Sequence, residues 1–406
     1  MQASDVVPLA GLVLLLVVAY RHPRNLVELA AGVAAAVATF ASGALDRAAA
    51  VRELDHLLPV VGFLAAILVV AEQCRAAGVF EALGARLATR RSLLPVVFLS
   101  AVVVTAVLSL DATVVLLTPV VIAASAGFVV AELTCVRLAN SASLILPVAN
   151  LTNLLAMSRL QLTFGEFVWR MLPAWLVVLA VEYGVLALLA RGRPARAPGS
   201  APSSPPPPLP RFPVLVVAVM LVGFAIASPF GVEPVWVALV AALVLAGRGL
   251  VRGHTTVARV LDSAHLPFAV FVLCLGLVVA GLGHGWFGDL VAHLVPARSD
   301  LAGLLLVALA GTVVANVVNN LPATLLLLPL VAPLGTTALL ALLVGVNVGS
   351  SMTWTGSLAN LLWRRVLTAH GRPVPTARFH LTALAAAPLA IVLAVCVLDG
   401  WSSLLT

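Results

Sequence analysis

The sequence predicts an all-α polytopic membrane protein made of two inverted-topology repeats, with about ten transmembrane helices, two re-entrant helix hairpins and two interrupted helices. Three observations predict it. The 406 residues are 62% hydrophobic and only 10% charged, with a mean hydropathy of +1.15, whereas about a quarter of a soluble domain is charged. The apolar stretches mostly run for about 16 to 24 residues, the length a helix needs to cross ~30 Å of hydrocarbon. The third observation is self-similarity at one offset: RELD at 52–55 returns as RVLD at 259–262, 207 positions later. Gly78, Phe80 and Leu83 map onto Gly285, Phe287 and Leu290 by the same shift, Asn140 and Ser143 onto Asn347 and Ser350, and Asn153 onto Asn360.

Each half is expected to hold the same parts in the same order. Two helices come first (6–20 and 26–44; 213–229 and 235–250), then the RxLD loop and a third helix (57–77; 264–282). An amphipathic segment follows (78–91; 284–295), then a long apolar stretch split by polar residues (93–130; 301–335). A Gly/Ser/Asn-interrupted helix (133–158; 338–367) and a closing helix (167–190; 379–398) complete the half. The first repeat is therefore 1–190 and the second 212–406, joined by RGRPARAPGSAPSSPPPPLPR at 191–211, a polyproline-type spacer without packing capacity. Read as re-entrant hairpins, the split stretches leave five crossings per half; read as double crossings, they give seven. Both counts are odd, so the second half is inverted either way.

All 23 basic residues are arginine, and the formal charge is +7. In a membrane protein this balance reports topology and does not point to nucleic acid. No basic residue precedes the first apolar run, whereas Arg21 and Arg24 follow it, the reverse of a cleavable signal peptide. A retained first helix with its amino terminus outside the plasma membrane results. Tracing from there puts eighteen arginines, Arg137 among them, on the cytoplasmic side with the linker, and leaves Arg47, Arg52, Arg159, Arg170 and Arg298 outside with both termini. Cys74, Cys135, Cys274 and Cys396 lack metal-site spacing, and neither HExxH nor GxSxG occurs, so nothing supports an enzyme, a cofactor or a metal.

Inverted repeats with broken helices place the site at the midplane, where interrupted segments meet. The first split breaks at Ser109, Asp111 and Thr113, and the second at Asn316, Asn319, Asn320 and Thr324. Non-helical backbone at that depth needs protein or a water-filled cavity to satisfy it. Asp111 and Asn320 could simply cap the helices that follow. A neutral residue caps equally well, however, and a carboxylate in the membrane costs several kcal/mol, on the order of ~3 or more, unless hydrated or paired. The interrupted helices offer Asn140, Ser143, Asn150 and Asn153 in one half, and Asn347, Ser350, Thr355, Gly356, Ser357 and Asn360 in the other. Glu28, Glu72, Glu182 and Glu233 lie near expected helix ends and are weaker candidates.

The run GSSMTWTGSLANLLWRRVLTAHG at 349–371 resembles the signature of the arsenite and antimonite efflux permeases, within the ion transporter superfamily. The likeness extends to VNNLPAT at 318–324, LDATVVLLTP at 110–119 and ANLTN at 149–153. It implies two inverted repeats whose hairpin tips and broken helices meet around the substrate. It also implies export of trivalent arsenic or antimony, coupled to inward proton movement or assisted by a cytoplasmic ATPase subunit. Asp111 matches the family's hairpin acid, Asn319 and Asn320 its second hairpin, and the stretch from Gly356 to Ala359 its second broken helix. Leu110 stands where the family has Asn, Asn347 where many relatives have Asp, and Ser350 where Pro is usual.

Arsenous acid is neutral near pH 7 and suits a lining of Asn, Ser and Thr, while a lone carboxylate repels an anion and can take up a proton or a cation. The expected coupling ion is the proton, or sodium. A sodium-coupled di- or tricarboxylate transporter, another anion carrier and a sodium/proton antiporter stay open as alternatives. The expected partners are a small inorganic or small-anion substrate and membrane lipid, with a homodimer and the ATPase subunit as further candidates.

Overall fold

The computed structural model describes residues 3–21, 25–88, 92–125, 127–160, 162–191, 207–283, 286–293, 295–296 and 298–405. Most of the expected linker, and Arg24, Arg90, Arg91, Arg193 and Arg196, lie outside them. The described residues are helical, with no strand among them.

Eight helices among the described residues are long and apolar enough to span a bilayer. Seven are expected crossings, and the eighth, Leu301–Val318, is the first arm of the second hairpin. Of the other three expected crossings, Asn25–Ala41 is 17 residues long and the two interrupted helices are divided. The amphipathic segments form Val79–Ala88 and Trp286–Ala292, and the closing helices Phe164–Ala190 and Thr376–Ser403.

Two local expectations are corrected. The RxLD motif is not a loop: Arg52 and Asp55 lie inside the helix Arg47–Ala76, which Asp46 caps by accepting from the Ala49 amide at 2.6 Å. At 30 residues and ~1.5 Å per residue, this helix outruns the hydrocarbon, so its charged first turns project into the interface. Its counterpart is capped by Thr256 and breaks at His265, φ 45°, into Val257–Ser263 and Leu266–Gly283. The linker also ends earlier than expected, because Arg211 already begins the helix Arg211–Ala227.

The helices sort into two packed groups. Ala3–Arg21, Asn25–Ala41, Arg47–Ala76, Pro234–Val251 and Leu266–Gly283 lie against one another, with Arg211–Ala227 along Pro234–Val251. The hairpins, the interrupted helices and the closing helices form the second group, in which the two closing helices run along each other. Leu266–Gly283 touches the second hairpin and Arg47–Ala76 touches the first interrupted helix, joining the groups. Gly345 and Gly349 permit close packing of the second hairpin on the second interrupted helix: a Cβ there would lie 2.1 Å from the Ala308 carbonyl oxygen and 2.3 Å from Thr312 Oγ1.

Candidate functional site

Both split stretches fold as hairpins with a sharp tip. The first runs through Leu93–Val107, turns at Ser109 and returns as Leu110–Ser125; the second runs through Leu301–Val318, turns at Asn319 and returns as Asn320–Leu334. Ser109 (φ 149°) and Asn319 (φ 82°) are two of the three non-glycine residues with positive φ among the described residues. Such strained positions persist where their surroundings hold them and cluster at functional sites. Each tip residue caps its return helix: Ser109 Oγ accepts from the Ala112 amide at 3.3 Å, and Asn319 Oδ1 from the Leu321 amide at 3.4 Å. The first return helix opens with a wide turn over Thr113–Leu117, where the Thr118 amide and hydroxyl both donate to the Thr113 carbonyl.

The tips register at an offset of 210 (319 minus 109), because the second hairpin's first arm has 18 residues and the first has 15. Pro119 then corresponds to Pro329, and Asp111 to Leu321, not to the Asn pair that the constant offset of 207 suggests.

The interrupted helices keep the 207 offset down to single hydrogen bonds. The first is Val129–Ser141, a short 3-10 turn Ala142–Leu144, extended backbone at Leu146 and Asn150, then Leu151–Leu160. The second is Thr336–Val348, the 3-10 turn Gly349–Met352, extended backbone at Thr353 and Ser357, then Leu358–Ala369. Asn153 Nδ2 donates to the carbonyls of Ser143 (2.8 Å) and Leu146 (3.0 Å); Asn360 Nδ2 donates to those of Ser350 (2.9 Å) and Thr353 (2.8 Å). These amides stitch each break, answering the orphan carbonyls of an ended helix. Asn140 Nδ2 reaches Asn360 Oδ1 at 2.8 Å, and Asn347 Nδ2 reaches Asn153 Oδ1 at 3.1 Å, so the two breaks are also tied to each other. Asn150 and Thr152 both donate to Asn347 Oδ1. Asn140, Asn153, Asn347 and Asn360 are fully buried with both amide hydrogens or the carbonyl oxygen engaged by protein. Ser143 and Ser350 donate to the carbonyls of Asn140 and Asn347, three residues back in each half.

The other expected site residues divide. Ser109, Asp111, Asn150, Asn320 and Ser357 line one pocket, walled by Phe63, Ile67, Phe268 and Leu321. Asp111 has no hydrogen-bond or ion-pair partner among the described residues, and no basic side chain lines this pocket. Asn319 and Thr355 line an adjoining pocket beside the first helix. Thr113 pairs with Thr105 at 2.7 Å inside the first hairpin, and Thr324 donates to the Asn320 carbonyl, so both face their own helices.

The tips differ in how they are held. Asn319 Nδ2 donates to the Thr355 carbonyl (2.9 Å), the Asn320 amide to the Gly356 carbonyl (2.8 Å) and Asn316 Nδ2 to the Gly349 carbonyl (2.9 Å). Thr353 and Thr355 hydroxyls donate back to the side chain and carbonyl of Asn316. Among the described residues no such bond joins Ser109, Leu110 or Asp111 to the first interrupted helix; Ser109 and its neighbours bond only within their own hairpin.

One polar centre was not legible as such. Arg137 and Glu182 form a fully buried pair, with Nε to Oε2 at 3.0 Å and Nη2 to Oε1 at 2.5 Å. Ser141 also donates to Glu182, and Arg137 Nη1 donates to Ser351 on the second interrupted helix at 2.6 Å. Arg137 is thus interior and not among solvent-facing arginines as expected, and Glu182 is neither at a helix end nor snorkelling. The only sequence signal was two opposite charges inside apolar helices, which demand a partner at that depth.

Compared with known proteins, residues 3–339 match the family model described as citrate transporter. The chain is 30% identical over 294 residues to the arsenical pump membrane protein of Yersinia enterocolitica, covering 65% of this chain and 67% of that one. It is 27% identical over 305 residues to an Escherichia coli arsenical pump membrane protein, covering 68% and 70%. Among solved structures, the YdaH transporter of Alcanivorax borkumensis, noted for an unusual topology, superposes with a TM-score of 0.59 over 87% of each chain, at 19% identity.

Proposed function

Since the chain belongs to the citrate transporter family of membrane permeases, we propose that it is a secondary active transporter that exports trivalent arsenic or antimony against inward proton movement. The observation that carries this reading is the Asp111 carboxylate, unpartnered in a pocket whose other polar groups are the neutral Ser109, Asn150, Thr152, Asn320 and Ser357. A multiply charged anion needs cationic or helix-terminal compensation and is repelled by a carboxylate. Neutral arsenous acid needs only hydroxyl and amide partners, and a carboxylate beside it can carry a proton across. The likeness to arsenical pump membrane proteins supports the same cargo.

The repeats 1–190 and 212–406 are, on this reading, inverted, with both termini outside and the linker cytoplasmic; the matched hydrogen bonds at the two breaks support the repeat. Asp111 takes a proton on one side and releases it on the other as the hairpins and interrupted helices move against the remaining helices, in the manner of repeat-built transporters. Flux of arsenite in proteoliposomes holding the purified chain alone tests this. Asp111→Asn is expected to cut gradient-driven flux at least tenfold, and undiminished, still pH-driven flux in that variant overturns it. Activity of the chain alone also decides whether an ATPase subunit is required.

The family's description favours one other reading, sodium-coupled uptake of citrate or a related carboxylate. Labelled citrate accumulating only when sodium is present decides for it.

A further inference from the structure

A second polar site lies in the other helix group. Where Arg211–Ala227 begins and Pro234–Val251 ends, beside Arg47–Ala76, there is an open pocket. Arg211, Arg248, Arg252 and His254 line it, and no carboxylate does. The nearest acid along the chain from lining residue Gln73 is Glu72, which is already engaged by both arms of the Arg75 guanidinium at 2.6 and 2.5 Å. No ion pair to Arg211, Arg248 or Arg252 exists among the described residues. Arg248 is oriented by the Phe212 ring, with its guanidinium carbon 3.9 Å from the centroid, a cation–π contact that leaves the N–H groups free.

The floor of the pocket is unusual for a membrane protein. Gln73 is 4% exposed, lines the pocket, and its Nε2 has no hydrogen-bond partner. Beside it the buried Thr255 Oγ1 is also without one. Gly249 allows this arrangement, since a Cβ there would lie 2.7 Å from Gln73 Oε1 and 3.0 Å from Thr255 Cγ2. A buried amide donor left unpaired costs about 1–3 kcal/mol, so its retention under a ring of unpaired guanidinium groups implies a bound acceptor. Arginines at a helix carboxyl end do complement its dipole, but that alone requires neither convergence on one cavity nor an orphaned amide.

We propose that this pocket binds a phosphate-bearing anion, with the phosphate oxygens accepting from Arg248, Arg252 and Arg211 and from the Gln73 amide. Basic pockets between transmembrane helices hold anionic headgroups in this way, and the same oxygens exist on soluble phosphate. The site is separate from the Asp111 pocket, with which it shares no lining residue, so its ligand is not the cargo.

The test uses the full chain in mild detergent, by native mass spectrometry with phosphatidylglycerol or phosphatidylcholine added, and by thermal unfolding with inorganic phosphate. If the ligand is a lipid headgroup, wild type retains phosphatidylglycerol at least tenfold more than phosphatidylcholine, and Arg248→Gln/Arg252→Gln abolishes the preference. If it is soluble, phosphate raises the wild-type Tm and not that of the variant, without lipid preference. Gln73→Leu, which removes an unpaired donor, is expected to weaken either effect without lowering the ligand-free Tm. Neither effect in wild type, or equal effects in wild type and both variants, overturns the proposal.

Discussion

Asp111 and Leu321 hold corresponding places on the two hairpin tips and line the same pocket, so the difference in charge between the two tips is confined to one position. At this scale the sequence was informative about residue type and less so about role. The buried Asn residues stood out because an amide in a bilayer must be paired, but whether its partner is a solute or a broken helix depends on atoms that only the fold brings within 3 Å. Gly356 illustrates the geometric half of the problem. A Cβ there would sit 2.2 Å from the Ser350 carbonyl oxygen and 2.9 Å from Asn316 Oδ1. Gly356→Ala is therefore expected to cost about 1–3 kcal/mol by overpacking and to displace Asn316 from the break, read as a lower Tm together with reduced flux. An unchanged Tm would mean that the break relaxes freely.

Among elements, the first interrupted helix is fastened to a closing helix through Arg137, Ser141 and Glu182, and to the second interrupted helix through Ser351. Removing one partner leaves an uncompensated buried charge, at about 3–5 kcal/mol. Arg137→Leu is expected to lower stability by that order, while Arg137→Leu/Glu182→Leu regains most of it; a double variant no better than the single one would show that the pair's geometry, not its charge balance, matters. A different acid marks the start of the second hairpin. Asp300 accepts from the Gly303 amide and pairs with Arg298, which together hold its carboxyl down at about 2. A lowered value means that this cap is intact above the ordinary carboxylate range and is lost only as pH falls through about 2. Asp300→Asn is accordingly expected to leave the flux–pH profile between pH 5 and 8 unchanged, in contrast with Asp111→Asn. Element existence was readable from apolar run length and from the repeat. The RxLD segment was misread as a loop because charges before a membrane span mimic a connection, although a helix can continue past the hydrocarbon.

For the whole molecule, the all-helical fold with two hairpins and two broken helices follows from composition, the 207 offset and polar interruptions, all local signals. The sorting into two helix groups, the pocket walls Phe63, Ile67 and Phe268, and the basic pocket came only from contacts across the chain, since apolar lining residues look like any others in such a sequence. The uneven fastening of the tips has an energetic consequence. Parting the second tip from the second interrupted helix breaks five hydrogen bonds, whereas parting the first tip from the first interrupted helix breaks none of that kind. At ~0.5–1.5 kcal/mol each, the first tip parts from its neighbour more readily than the second by orders of magnitude. In a background lacking the exposed Cys396, Ser109→Cys is expected to react with a permeant maleimide at least tenfold faster than Asn319→Cys, and equal rates would remove the bias. Of the two seams, one is latched and the other merely shut.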